Sequence, residues 1–257
     1  MRISIVTPSY NQARFIERTI DSVLNQNLKS SDFEHIVIDG GSSDGTVEIL
    51  KKYSHLKWIS EKDNGQSDAI NKGFKLATGD VFCWLNSDDY FTENTLSTVM
   101  DFFLTHPSSN ILYGDIEYVD INGEHLSYDK GNVISFNKLI SNPDKVRQPS
   151  TFWRKEVWER TGGVRTDLRV VMDLDFFLRA LAQYEIEYLP QVLSSFRTYA
   201  ENKTSSLRKI QFLEMTKVLK QYSESYNPTT IKFLFGRFLD SLPNDHVINK
   251  VFSRLRK

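Results

Sequence analysis

An α/β protein with a mixed, mostly parallel central sheet flanked by helices is predicted by three observations along the 257 residues. Short β-branched or aromatic runs alternate with segments of helical period as far as about Phe103. These runs end in clusters of polar, turn-forming residues. Beyond Thr204 almost everything has helical period, which predicts a C-terminal helical extension.

The elements follow in order. Ile3 to Thr7 reads as a buried strand, after which Ile16, Ile20, Val23 and Leu24 share one face of a helix from about Ala13 to Gln26. His35 to Ile38 is the second strand, and the bend-tolerant turn Asp39 to Thr46 leads into a helix over Val47 to Tyr53. Strands at Lys57 to Ser60 and Val81 to Leu85, with helices at Asp68 to Ala77 and Asn94 to Leu104, complete four βα units. After His106-Pro107 the rhythm changes to Ile111–Gly114 and Ile116–Val119 with a turn at Asn122-Gly123, which predicts a hairpin in a less regular region. A helix over Leu174 to Gln183 and a strand near Ile186 to Phe196 close the main domain. We therefore expect that domain over residues 1–205, in halves 1–105 and 106–205, and the extension over 206–257.

Composition narrows the function classes. With 40% hydrophobic and 25% charged residues the chain is that of a globular protein rather than a disordered or fibrous one. Lys plus Arg number 32 against 33 Asp plus Glu, so no long-range field attracts nucleic acid, and no nucleic-acid partner is expected. Cys83, the single cysteine, lies in the apolar run Val81 to Leu85 and reads as a buried structural thiol in a reducing compartment. The opening residues lack a signal-peptide pattern, and no run of about 18 apolar residues occurs, so a cytoplasmic protein is expected, with at most peripheral contact at the inner membrane face.

In open α/β sheets ligands bind beyond the carboxyl ends of the strands. Four predicted strands deliver polar residues there: Thr7 to Asn11, Asp39 to Asp44, Glu61 to Gln66, and Asn86 to Asp89. Singly, each cluster is accounted for as a turn with a helix cap; four at one edge predict a site. Asp88 and Asp89 suit a hard cation, Mg²⁺ or Mn²⁺, which takes one or two carboxylates and completes its shell with phosphate oxygens and water. The alternative is that the pair caps the next helix. The five histidines are scattered without ligand-like spacing, and neither a Walker-type nor a dinucleotide glycine motif occurs. Asp173 opens a helix whose apolar face is Leu174, Phe177, Leu178 and Leu181; it is placed either to take a proton from an acceptor hydroxyl or to act as an N-cap. Asp175 is spaced to pair with Arg179. Gln148 to Trp153 reads either as a sugar-contacting segment, with Gln148 and Trp153 touching acceptor or sugar, or as a core strand with a buried Trp.

These motifs, in order and spacing over about residues 1–205, resemble the family 2 glycosyltransferases of GT-A fold. The resemblance rests on Thr7-Pro8-Ser9-Tyr10-Asn11, the run Ile38 to Thr46, Asp68-Ala69-Ile70-Asn71-Lys72-Gly73, Leu85-Asn86-Ser87-Asp88-Asp89, Gln148-Pro149-Ser150 and Met172-Asp173-Leu174-Asp175. It implies that Thr7, Pro8, Tyr10, Asn11, Asp39, Asp68, Asn71, Ser87 and Asp88 bind a nucleotide-sugar donor, with Asp88 and Asp89 on the metal and Asp173 as the base. It also implies an inverting displacement from a donor of UDP type to a glycan or lipid-linked acceptor, as in polysaccharide or glycolipid assembly. Two departures stand out. Asn86 replaces the first acid of the usual Asp-x-Asp, and Tyr199 stands where many relatives have a metal-ligating His.

Two other classes fit parts of this pattern: a non-catalytic sugar-nucleotide or glycan binder, motivated by Asn86 and Tyr199, and a sugar-phosphate nucleotidyltransferase, which is disfavoured because Thr7 to Asn11 lacks the basic Gly-rich character of a loop that grips a triphosphate. In the tail, Ile231, Leu234, Phe235, Phe238 and Leu242, then Val247, Ile248, Val251, Phe252 and Leu255, give two apolar helical faces. With Lys250, Arg254, Arg256 and Lys257 alongside, they suit either an anionic membrane or packing on the main domain or a second subunit.

Overall fold

The computed structural model describes residues 1–145 and 147–241. The strands are β1 (Ile3–Ser9), β2 (Phe33–Asp39), β3 (Lys57–Ser60), β4 (Val81–Trp84), β5 (Tyr90–Phe91), β6 (Ile111–Val119), β7 (His125–Asp129), β8 (Thr151–Arg154) and β9 (Ile186–Arg197). The helices are α1 (Ile16–Leu24), α2 (Thr46–Leu50), α3 (Gln66–Leu76), α4 (Thr95–Thr105) and α5 (Phe136–Ser141), then α6 (Lys155–Thr161), α7 (Met172–Leu181), α8 (Lys203–Ser206), α9 (Arg208–Lys220) and α10 (Pro228–Ser241).

The strands form one nine-stranded sheet in the order β3-β2-β1-β4-β8-β6-β9-β5, with β7 on β6. β1, β2, β3 and β4 are mutually parallel, as right-handed βαβ crossovers require. β8 then runs antiparallel between β4 and β6. Ile111–Tyr113 of β6 pair with β8, while Ile116–Val119 pair with β7, so two strands share one edge of β6 in succession. The hairpin expected at Asn122-Gly123 joins β6 to β7, and Gly123 takes the positive φ of 89° that the turn demands.

α1 and α2 bury Ile16, Ile20 and Leu50 with Val37 against one face of the parallel strands. α3 approaches the other face so closely that a Cβ on Gly73 would lie 2.4 Å from Val6, which explains a glycine in mid-helix.

Where β4 meets β8, aromatic rings fill the core. The Trp153 ring lies 5.6 Å from Trp84 and 5.1 Å from Phe176, and Phe74 lies 4.1 Å from Trp158. Trp153 is wholly buried, so of the two readings of this segment the core strand is the one the fold adopts, and Trp153 is corrected as a sugar contact. Trp153→Ala is expected to destabilise the protein by about 3–5 kcal/mol in urea unfolding, as truncation of a packed aromatic does.

The extension is partly integrated into this core. α9 buries Met215, Val218 and Leu219 in it, and α10 packs on α9 and α5 with Leu234 turned inward. Ile231, Phe235 and Phe238 are exposed, the last also stacking near Phe212. Leu242 and the second apolar face, Val247 to Leu255, with its basic residues to Lys257, lie outside the described residues.

Candidate active site

A cavity of about 1010 Å³ opens beyond the carboxyl ends of β1, β2, β3 and β4 and is closed on the far side by α7 and the segment after β9. This is where a parallel sheet with short βα turns must expose its loop residues. Of the residues read from the sequence, Pro8, Tyr10, Ser87, Asp88, Asp89, Gln148 and Asp173 line it.

The others stand behind the wall. Thr7 is wholly buried, its hydroxyl 2.8 Å from His35 Nε2. Burial, reinforced by His55, pushes the His35 pKa down to about 3, so that ring is neutral. Asn11 accepts the Ser43 amide at 3.0 Å, tying the β1 turn to the β2 turn. Asp39 accepts the amides of Gly41 and Ser42, at 3.1 and 2.9 Å, and the Ser60 hydroxyl at 2.7 Å. It thereby shapes the turn whose Gly40 and Gly41 line the cavity. Asp68 accepts the Asn64 amide at 3.1 Å and pairs with Lys72 at 3.3 Å. Asn71 donates to the Val164 carbonyl at 2.8 Å and accepts its amide at 3.1 Å. Asp68 and Asn71 therefore act here on the protein backbone and on Lys72, away from the cavity lining.

Asp88 and Asp89 divide in environment. The Tyr199 hydroxyl donates to Asp88 Oδ2 at 2.8 Å. Burial raises the Asp88 pKa above the ordinary carboxylate value, opposed by that hydrogen bond and by Arg197 and Lys203. Asp89 accepts the Arg197 amide on Oδ1 at 3.0 Å and the Asn86 amide on Oδ2 at 3.3 Å. Burial and the neighbouring Asp88 charge push it well up. Asp89 thus braces the β9 end against the β4 end.

Asn86 explains itself through the same network. Its Nδ2 donates to Asp89 and, at 3.2 Å, to Gln148 Oε1, while its Oδ1 accepts Gln66 Nε2 at 2.8 Å. A carboxylate could not donate to two acceptors, so the departure from Asp-x-Asp is an internal requirement of this floor. Gln148 completes it by donating to the Trp84 carbonyl at 2.5 Å.

The donor set bears on the expected Mg²⁺ or Mn²⁺. Among the described residues no group of three or more His, Cys, Asp or Glu could hold a metal. Asp88, a cavity-lining carboxylate that the β9 backbone does not engage, fits a cation that arrives with phosphate oxygens and keeps water, the usual habit of Mg²⁺.

Asp173 lies on the opposite wall, half-buried in the first turn of α7. Its alternative reading as an N-cap does not match the geometry. Val171 is the N-cap, and Glu214 of α9 takes the amides of Arg169, Val170 and Val171 at 2.8, 2.9 and 3.3 Å. Asp173 accepts the adjacent Leu174 amide at 2.8 Å. Burial pushes its pKa up to about 6, aided by the Asp144 charge and opposed by the Leu174 amide. Asp175 pairs with Arg179 at 2.7 Å, as its spacing predicts, and with Arg165 at 3.4 Å.

The sequence reading missed Gln12, Arg147, Lys203 and Arg237 as cavity residues. Gln12 adjoins a motif already singled out; Arg147, Lys203 and Arg237 reach the cavity through tertiary packing that no local pattern encodes.

A family model described as Glycosyl transferase family 2 matches residues 4–156. The chain belongs to the family 2 glycosyltransferases. This glycosyltransferase is 28% identical over 204 residues to a PGL/p-HBAD biosynthesis glycosyltransferase of Mycobacterium bovis, covering 76% of this chain and 77% of that one. It is 30% identical over 202 residues to an uncharacterized glycosyltransferase of Mycobacterium tuberculosis, covering 76% and 75%. Among solved structures, S. aureus TarS 1–349 in complex with UDP-GlcNAc superposes with TM-score 0.68 at 19% identity, covering 95% of this chain and 82% of that one. The chain spans 50% of the longer TarS chain. The mannosyltransferase PcManGT from Pyrobaculum calidifontis, in complex with GDP-Man and Mn2+, superposes with TM-score 0.66 at 17% identity, covering 98% and 75%. The GT-A architecture expected from the motifs is thereby borne out, with its mixed sheet and C-terminal helices. Among the described residues no helix is long and apolar enough to cross a membrane.

Proposed function

We propose that this glycosyltransferase moves a sugar from a nucleoside diphosphate donor, UDP-linked in kind, to an acceptor hydroxyl with inversion at the anomeric carbon. The observation that supports it most is Asp173, a cavity carboxylate that does not cap its helix and whose pKa is raised to about 6. A base poised near neutrality is what proton abstraction from a hydroxyl asks for. Asp173 takes the acceptor proton as the acceptor oxygen bonds to the anomeric carbon; the bond from that carbon to the diphosphate breaks, and its electron pair leaves with the phosphate oxygen. Mg²⁺ or Mn²⁺, when bound, neutralises charge on the departing diphosphate, and Asp88 is the residue to hold it. Asp89 is engaged by Arg197 and Asn86 and supports Asp88 from behind.

The donor nucleotide lies against Pro8, Tyr10 and the Gly40-Gly41 turn in this reading, while Gln148 and α7 face the acceptor. The names of the relatives support nucleotide-sugar use: TarS is solved with UDP-GlcNAc and PcManGT with GDP-Man. A glycan or lipid-linked acceptor in surface polysaccharide or glycolipid assembly, met from the cytoplasmic side, suits the mycobacterial relatives' role in PGL/p-HBAD biosynthesis. The exposed Ile231, Phe235 and Phe238 of α10 are the described part of the surface on which membrane contact or a second subunit would rest.

Because the base must be ionised, kcat/KM is expected to fall about tenfold per pH unit once pH drops below about 6, and to level off above it. Steady-state rates across that range check the sign. Product NMR with an α-linked donor tests the stereochemistry: a β-linked product agrees, and an α-linked product rejects the single displacement.

A further inference from the structure

We propose that Lys203 supplies the fixed positive charge that holds the donor's diphosphate, in a cavity where, among the described residues, no group of three His, Cys, Asp or Glu could hold a metal. The inference rests on the nucleoside diphosphate donor proposed above and adds a residue to it. Lys203 is the first residue of α8, on the segment that follows β9 and closes over the cavity. Its Nζ donates to Gln66 Oε1 at 2.6 Å, at the start of α3. Gln66 in turn donates to Asn86, so the ammonium is linked through neutral amides to the floor beside Asp88. Its charge acts electrostatically on both Asp88 and Asp63.

The arginines near the cavity are committed elsewhere. Arg147 is bound to Asp129 and to the Lys145 and Lys130 carbonyls, and Arg237 is paired with Asp144. Arg197 spends its side-chain donors on the carbonyls of Asp88, Asp120 and Ile121. Lys62 also lines the cavity, on the β2 side, with its backbone against Gly41. Lys203 instead holds a neutral amide oxygen, which a phosphate oxygen outcompetes as acceptor because charge-assisted hydrogen bonds are about twice as strong. A cation fixed near Asp88 stabilises the negative charge of a departing diphosphate, and among the described residues no group of three His, Cys, Asp or Glu could hold a metal for that purpose. The ammonium of a lysine, with three donors on a flexible stem, suits that role.

The alternative is that Lys203 only latches its segment to α3, and binding measurements separate the two. Titration calorimetry of wild type with UDP and GDP identifies the nucleotide; Lys203→Met and Lys203→Arg are then titrated with its diphosphate and its monophosphate, with Mg²⁺ and in chelator. Lys203→Met is expected to weaken diphosphate binding about tenfold or more, and monophosphate binding several-fold less. The loss persists in chelator, and Lys203→Arg restores most of the affinity. Equal losses for the two nucleotides, or none for either, would overturn the proposal. Wild type that binds neither diphosphate would overturn the donor reading, and this inference with it, whereas failure of Lys203→Met alone leaves the donor reading standing.

Discussion

Asp173→Asn is expected to lower the transfer rate by about 10³-fold while changing donor affinity by no more than about twofold. The substitution keeps the shape of the side chain and still allows a hydrogen bond from the Leu174 amide, now to the carboxamide oxygen. It removes the ability to accept the acceptor's proton. Glu214 takes the amides of Arg169, Val170 and Val171 just before α7, and the carboxamide keeps an acceptor for the first-turn Leu174 amide, so the start of the helix is preserved. Thermal unfolding of the variant is therefore expected to match wild type, or to improve on it slightly. The sign follows from linkage: a carboxyl whose folded pKa is raised costs stability above its unfolded value, and the neutral amide has no such cost. Initial rates and nucleotide titration on the same preparation check both halves. A variant that retains more than about a tenth of wild-type turnover would remove Asp173 from the mechanism.

Asp88→Ala has the second large expected effect, a loss of about 10²-fold or more in turnover, together with the metal dependence of nucleotide binding. Asp88 is the carboxylate at the end of β4 that faces the cavity without being committed to the β9 backbone. The Tyr199 hydroxyl donates to its Oδ2. Asp89→Ala should differ in kind. It leaves the Arg197 amide and the Asn86 amide without their acceptor, so it is expected to lower the unfolding midpoint as well as the rate. Rates with and without Mn²⁺, beside urea titrations of both variants, show whether the two acids separate in this way.

Much of the fold is legible in the sequence because β1, β2 and β4 are buried runs and helices separate the first four strands. Ile3–Ser9, Phe33–Asp39, Lys57–Ser60 and Val81–Trp84 stand within a few residues of where the pattern puts them. The second half is less legible for a physical reason. β8 has only four residues, and its place between β4 and β6 is fixed by antiparallel pairing with strands far away in the chain. That pairing also decides Trp153: opposite Phe82, its ring meets Phe176 and the core, and no local signal distinguishes that from an exposed aromatic. α6 follows directly and has a short, charged sequence that periodicity does not single out.

The site divides in the same way. Asp88 and Asp173 are found from sequence because each opens or closes an element with a strong apolar pattern. Asn71 stands outside the cavity lining, its carboxamide serving the Val164 backbone in a contact made across 93 residues. Lys203 went unnoticed because it enters the cavity from a segment whose path depends on β9 lying beside β6.

The central claim, a nucleoside diphosphate donor held by a metal on Asp88, is tested most directly by calorimetric titration of wild type and Asp88→Ala with UDP, GDP and their sugar conjugates, with and without Mn²⁺. The account predicts that wild type binds one nucleotide class, that Mn²⁺ tightens the binding, and that Asp88→Ala loses the Mn²⁺ effect. Binding that is indifferent to Mn²⁺ and to Asp88, or no binding of either nucleotide, would contradict it.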